Sequence, residues 1–242
     1  MEHFRVRVGF IGSGDGSRPH YASFTPLIPK DIDVVFKGLN LYRDSLYEIA
    51  DKKDVIVRAI QLFVAECHLD GVMVTGAPTE VLNTGLLDDL RTSLGVPVTT
   101  ALNACIAALR TFSATHVLLM TPFEERLNAL IRQHLNSAGV TALAPRPFDH
   151  VSSATKLSPD EVFELTRSAV HDVGNVDAIY FQGAVLDPLK VVNKIEEELG
   201  MPVVASNPAM LWYLLSRLGL TYGIAGYGKL LEQWLPLVDD AS

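Results

Sequence analysis

The sequence predicts an α/β fold of two pseudo-symmetric parallel-sheet halves with a cleft between them. Three observations carry this. Short apolar strands alternate with helical stretches along the whole chain, the pattern of parallel βαβ units. One segment occurs twice, as GVPVTTALNACIAALRTF from Gly95 to Phe112 and as GMPVVASNPAMLWYLLSRLG from Gly200 to Gly219. Each copy follows a matching strand that ends in Gly-Ala, DGVMVTGAPTEV at Asp70–Val81 and DAIYFQGAVLDP at Asp177–Pro188. The spacing repeats as well, with 21 residues from Gly76 to Pro97 and 19 from Gly183 to Pro202. Ligands of parallel α/β sheets bind beyond the carboxyl ends of strands, so the cleft between Gly76-Ala77 and Gly183-Ala184 is where function is expected.

In chain order, Arg5–Ile11 reads as a strand that runs into the glycine-rich loop Gly12-Ser13-Gly14-Asp15-Gly16-Ser17. Ala22–Leu27 reads as a short helix stopped before Pro29, and Ile32–Phe36 as a strand. Apolar residues at Val57, Ile60, Leu62, Phe63 and Val64 predict one long helix over Tyr42–Asp70. Gly71–Thr75 is a continuous apolar strand, the kind buried on both faces of a parallel sheet. A helix at Leu86–Leu94, a strand at Val96–Thr99 and a helix at Ala101–Phe112 complete the first unit.

The second half repeats this grammar. His116–Met120 is a strand, Thr121-Pro122-Phe123 its turn, and Glu124–Ala138 a helix ended by Gly139. Val140–Ala144 reads as a strand broken by Pro145-Arg146-Pro147. Ser158-Pro159-Asp160-Glu161 is a helix start, with Ser as N-cap, Pro at the first helical position and Glu three residues past the cap. That helix continues through Val162–Val173, followed by a strand at Ala178–Phe181, a helix at Leu189–Leu199, a strand at Val203–Ala205 and a helix at Met210–Leu218. Leu230, Leu231, Trp234, Leu235 and Leu237 predict a closing helix in the tail Lys229–Val238. The two halves are expected at 1–100 with 220–242, and at 101–219.

Hydrophobic residues make up 48% of the 242, enough for packed cores. A net charge of −8 argues against nucleic acid or an anionic membrane as the main partner, though not against a small anion, which local backbone donors can hold. Cys67 and Cys105, far apart, suggest no disulfide framework and fit a reducing cytosol. MEHFRVRVGFIG lacks the apolar stretch of a signal peptide, and no run approaches the ~20 apolar residues that span a bilayer. A soluble, cytoplasmic protein is expected. His3, His68, His134 and His171 show no metal-ligand spacing, so neither a metal nor a cofactor is expected.

Four motifs now carry a resemblance. Leu118–Phe123 reads LLMTPF, close to an apolar strand followed by Thr-Pro-Tyr; Pro202–Gly219 holds Ser206, Asn207, Ala209 and Trp212 in a Pro-Val-x-x-Ser-Asn-x-Ala-x-x-Trp pattern; Leu157-Ser158-Pro159 and the Glu196–Gly200 lead-in also match. Over nearly its whole length the chain resembles the aspartate/glutamate racemase superfamily, in the branch of maleate isomerases and arylmalonate decarboxylases. The resemblance implies two pseudo-symmetric α/β domains with the active site between them, a small carboxylate substrate and a homo-oligomer. It also implies a cysteine at the end of the central strand of each half, but the matching positions are Ala77 and Gly183. Thiol chemistry is therefore excluded at both. Cys67 and Cys105 read as buried, inert thiols.

What remains is anion binding and proton transfer. Three strand-end loops offer N–H groups to a carboxylate: Ser13, Gly14 and Ser17 in the first; Gly76, Ala77, Pro78 and Thr79 in the second; Gly183, Ala184 and Val185 in the third. Ser206 and Asn207 occupy the equivalent turn of the second half, and Phe123 stands where the family has a tyrosine. The resemblance implies that the first loop closes over substrate. A dinucleotide reading of that loop is weak, because its glycines fall at alternate positions rather than in G-x-G-x-x-G, and a plain flexible loop stays open. Candidate proton-transfer groups are Asp15, His20, Glu80 and Asp187. Glu80 and Asp187 each follow their glycine by four residues, so they are expected to oppose one another as an acid and base pair, or else simply to favour helix N-termini. His20 reads equally as a surface residue, His150 as a further candidate at the cleft, and His116 as structural. The reading is a cofactor-independent enzyme that decarboxylates or isomerises a small carboxylate without cysteine; the alternative is a non-catalytic carboxylate-binding or regulatory protein. A hydrolase has no G-x-S-x-G motif behind it.

Overall fold

Among the described residues, eight parallel strands form two four-stranded sheets of identical topology. The computed structural model describes residues 4–16, 22–146, 148–149 and 151–238. The first sheet runs in the order β2 (Ile32–Gly38), β1 (Val6–Gly12), β3 (Gly71–Val74), β4 (Val98–Thr100). The second runs β6 (Thr141–Leu143), β5 (His116–Met120), β7 (Ala178–Phe181), β8 (Val203–Ala205). Every neighbouring pair is parallel. The repeated letters thus fold into a repeated order, and the expected α/β class holds.

Period-two alternation divides each sheet between two cores. Val8, Phe10 and Met73 of the first sheet and Val117, Leu119, Tyr180 and Val204 of the second share one central core with α4 (Ala101–Thr111), α5 (Glu125–Ser137) and α9 (Ser206–Arg217). Ile11, Val72 and Val74 face the other way, against α1 (Lys53–Cys67) and α3 (Leu86–Ser93). Leu118, Ile179 and Phe181 do the same against α7 (Pro159–Val173) and α8 (Val192–Leu199). Helices α4 and α9 lie against each other in the middle, and α9 also packs on β3 and β4 of the sheet it does not follow in sequence.

Several boundaries differ from the sequence reading, each for a local reason. The long helix expected over Tyr42–Asp70 begins only at Lys53. Upstream, Ser45 and Glu48 form a capping box around a single 3-10 turn, Leu46–Ile49, after which Ala50 is extended and Asp51 is left-handed (φ 58°). Reciprocal caps satisfy that turn on its own, so the chain is free to break before α1. The helix expected at Ala22–Leu27 is one 3-10 turn, Thr25–Leu27. Helix α9 starts at Ser206 rather than Met210, with Pro208 in its first turn, where no N–H is needed. The tail helix α10 (Lys229–Gln233) stops where Trp234 turns left-handed (φ 43°). Two short helices went unforeseen, α2 (Ala77–Val81) and α6 (Val151–Ala154). Among the described residues no helix is long and apolar enough to cross a membrane.

Candidate functional site

The carboxyl ends of β1, β3 and β7 meet between the two sheets and enclose a cavity of about 120 Å³. Its first side is the loop after β1. Leu39, Asn40 and Leu41 donate their backbone N–H groups to the carbonyls of Gly12, Gly14 and Ser13, at 2.8–2.9 Å, which pins the loop over the end of β2. Gly38 permits this closeness, since a Cβ there would sit 2.2 Å from the Asp15 carbonyl carbon and the Gly16 nitrogen. Gly12, Ser13, Gly14 and Gly16 line the cavity. The second side is the turn after β3, where Thr75 and Gly76 (φ 88°) face the cavity and Pro78 opens α2 beneath them. The third is Gly183 (φ 101°), Ala184 and Val185 after β7, with Phe123 against them. Asn207, in the first turn of α9, closes the floor; the Thr75 hydroxyl donates to its Oδ1 at 3.5 Å across the two halves. The Phe123 turn is rigid, because its N–H donates to Thr121 Oγ1 at 3.2 Å and its carbonyl accepts from Asn128 Nδ2 at 2.9 Å.

The structure therefore brings Ser13, Gly14, Gly76, Pro78, Phe123, Gly183, Ala184, Val185 and Asn207 to one wall. Ser17, His20 and His150 lie outside the described residues. The other sequence candidates go elsewhere. Ala77 is fully buried in the central core. Thr79 is turned inward, its hydroxyl donating to the Thr75 carbonyl at 3.3 Å. Ser206 is buried beside the cavity, in a shallow depression it shares with Asp187. Asp15 is exposed at the loop tip.

The expected pairing of Glu80 with Asp187 is corrected outright. Asp187 accepts the Leu189 N–H at 3.0 Å and so shapes its own turn. Glu80 sits on the far side of α2, in a separate groove with His134, Asn103 and Asp88, because the helical turn that puts Pro78 on the cavity rotates residue 80 away. Its Oε1 is 3.9 Å from His134 Nε2, and its Oε2 is buried with no partner among the described residues. Burial pushes the Glu80 carboxyl above its ordinary range, against the opposing pull of the Thr100 hydroxyl, His134 and Arg91. Neither cysteine reaches the cavity. Cys105 is enclosed in α4, where burial pushes its thiol up to about 12.

A family model for arylmalonate decarboxylase matches residues 76–231, from the cavity glycine Gly76 to Leu231 in α10. The chain belongs to the arylmalonate decarboxylase family. Two curated relatives flank it: maleate isomerase of Geobacillus stearothermophilus, 24% identical over 139 residues (56% of this chain, 55% of that protein), and arylmalonate decarboxylase of Bordetella bronchiseptica, 25% identical over 154 residues (62% and 64%). The matched stretch thus spans a little over half the length of those relatives. Among solved structures, a doubly substituted arylmalonate decarboxylase in liganded form superposes with a TM-score of 0.81 at 20% identity, over 94% of this chain and 99% of that one. At that identity the likeness shows the shared fold.

The cavity wall is built from neutral groups. Among the described residues lining it there is no carboxylate, imidazole, ammonium or thiol; its polar groups are backbone amides, three hydroxyls (Ser13, Tyr42, Thr75) and the Asn207 amide. Sequence reasoning missed Thr75, Tyr42, Leu46 and Val151. Thr75 was legible, standing directly before the repeated Gly-Ala. Tyr42 and Leu46 were hidden inside the helix expected over Tyr42–Asp70, and Val151 behind the proline break at 145–147.

Proposed function

We propose that this chain is a cofactor-independent enzyme that acts on a small carboxylate by decarboxylation, or by proton transfer at the α-carbon, without a catalytic cysteine. The wall of the cavity supports this reading. Gly12, Gly76 and Gly183 let the backbone approach a ligand closely, and Ser13, Thr75 and Asn207 add side-chain hydrogen bonds. A carboxylate fits such a wall of neutral donors. When a malonate-type substrate loses carbon dioxide, the bonding pair moves onto the remaining carboxylate as an enediolate, and preorganised donors stabilise that charge more than they stabilise the ground state. Carbon dioxide leaves without a base, so this step asks nothing of a thiol. Ala77 and Gly183, standing where the family resemblance expects cysteines, fit a lyase or a single-base isomerase better than a two-thiol racemase.

A second reading rests on the same wall. Because no described residue on it is a strong acid or base, a protein that only binds a carboxylate would need nothing more. Proton NMR in heavy water separates the two. The protein is incubated with malonates, maleate and aspartate, and the Asn207→Asp variant, which sets a like charge on the wall, serves as control. A decarboxylated or isomerised product, or α-proton exchange, lost in Asn207→Asp supports the enzyme. No turnover, with a carboxylate that raises the melting temperature of the wild type but not of the variant, supports the binding protein.

A further inference from the structure

Decarboxylation leaves an enediolate that must still receive a proton, and the described wall offers few places for one to come from. Its three hydroxyls differ in kind. Ser13 and Thr75 are aliphatic alcohols, and the Thr75 hydroxyl is directed at Asn207 Oδ1. Tyr42 is a phenol, a far stronger acid than either alcohol. Its position also differs. Tyr42 lines the cavity and, together with Leu46 and Val151, lines a second recess of about 500 Å³ that opens outward past Ser45, Tyr47 and Glu124. Tyr42 therefore stands at the boundary of the two spaces. It is held there by its neighbours. Residues 39–41 are tied by three backbone hydrogen bonds to the loop after β1, and the ring of Tyr42 packs, half-buried, on the core that contains Leu41 and Ile49. Phe123, Val151 and Val185 supply an apolar flank to the cavity, which limits stray protonation by water.

We propose that Tyr42 is the catalytic acid of this chain, delivering its phenolic proton to the α-carbon after carbon dioxide has left. The inference rests on the decarboxylase reading given above. The step balances. The enediolate electron pair forms the new carbon–hydrogen bond as the phenolic O–H bond breaks, the carboxylate is restored, and the phenolate takes a proton from water in the outer recess. The net reaction consumes one solvent proton and releases one carbon dioxide.

The test uses a panel of malonates that includes 2,2-disubstituted ones, whose products are chiral, with the wild type, Tyr42→Phe and the surface control Glu164→Gln. The expected result is that Tyr42→Phe lowers kcat at least about 100-fold, the range of a lost general acid, and gives racemic product. It should still bind an unreactive carboxylate within about twofold of the wild type, while Glu164→Gln, on the exposed face of α7, keeps both the rate and the enantiomer ratio. Replacing Tyr42 by 3-fluorotyrosine, which acidifies the phenol without removing it, should move the alkaline limb of the pH profile toward lower pH. This variant decides the matter should Tyr42→Phe fold poorly. A Tyr42→Phe enzyme with unchanged rate and enantiomer ratio, or an unmoved alkaline limb in the fluorotyrosine protein, overturns the proposal while leaving the decarboxylase reading intact. A wild type that turns over none of the panel removes the decarboxylase reading, and the proposal with it.

Discussion

The phenol of Tyr47, in the first half, donates its hydrogen bond to the Glu124 carboxylate at the N-cap of α5 in the second half, while the Arg126 guanidinium lies 4.5 Å over the Tyr47 ring. This clasp joins the two halves at the mouth of the outer recess. Burial, reinforced by Glu124, pushes the Tyr47 phenol up to about 12. Burial works against the Glu124 charge, but the bonds from Tyr47 and from the Arg126 and Leu127 N–H groups outweigh it and hold the carboxyl below its ordinary range. The phenol's contribution is complete below its unfolded pKa and is lost as pH rises toward 12. That of the carboxylate is complete above its unfolded pKa and is lost as pH falls through the depressed value. Tyr47→Phe should cost about 1 kcal/mol, read as a lower midpoint in chemical denaturation at neutral pH, with the difference from wild type shrinking at strongly acid pH.

Glu80→Gln should behave in the opposite way. The buried carboxyl is raised by desolvation, so the folded state holds its proton more tightly than the unfolded chain does. Its stabilising share is complete at acid pH and is lost as pH rises through the folded value. His134, 3.9 Å away, and Arg91 oppose this without overcoming the burial. Thermal melts at pH 8 should therefore show the glutamine variant more stable by about 1 kcal/mol, with the advantage gone by pH 4. An equal gain at both pH values would contradict the assignment.

Alanine at the two cavity glycines should separate strain from crowding. Gly76 (φ 88°) has room for a Cβ, its nearest contact being Thr79 Oγ1 at 3.5 Å, so Gly76→Ala meets only the left-handed penalty of about 1 kcal/mol. At Gly183 (φ 101°) a Cβ would come within 2.9 Å of Pro122 Cδ and 3.3 Å of Phe123 Cζ. Gly183→Ala should cost more than about 2 kcal/mol and weaken carboxylate binding by displacing the Phe123 turn, as equilibrium unfolding and calorimetric titration would report.

Glu196 anchors two chain segments from inside the fold. Its Oε1 accepts the Val203 N–H where β8 begins, and its Oε2 accepts the Lys229 N–H where α10 begins, both at 2.8 Å. Glu196→Ala leaves both donors without their partner and should cost about 3 kcal/mol. Limited proteolysis should then cut first near α10, ahead of global unfolding.

Thiol reagents should leave turnover untouched. Cys105 is completely buried, and burial holds it as the unreactive thiol; Cys67 ends α1 on the outer side of the first sheet. Inactivation by iodoacetamide at pH 7 would place a reactive cysteine in the chemistry after all.

Legibility in the sequence followed the range of the interactions. The strands at 71–74 and 178–181 were readable because burial on both faces demands unbroken apolar runs, and the repeat of Gly76-Ala77 in Gly183-Ala184 pointed to the two strand ends that meet. The 3-10 turn at Leu46–Ile49 was not readable from periodicity, since a capping box of two side chains overrode a helical pattern. Glu80 misled because equal spacing from a glycine fixes position along the chain but not which side of a helical turn a carboxylate takes. Tyr42 reaches the cavity through a segment pinned by backbone bonds to the loop after β1, and Val151 at the start of α6; no local pattern encodes either.

The central pairing of α4 with α9 has a consequence for how this architecture can be taken apart. Each helix follows the last strand of its own sheet, yet α9 also roofs β3 and β4. A chain cut at Ser113 gives an amino-terminal fragment whose sheet is stripped of α9, and a carboxyl-terminal fragment lacking α4. Both would present bare apolar surface and aggregate when expressed alone. The two halves are alike in pattern without being modules. They must be made together, and neither can be shuffled into another protein without the helix that its twin supplies.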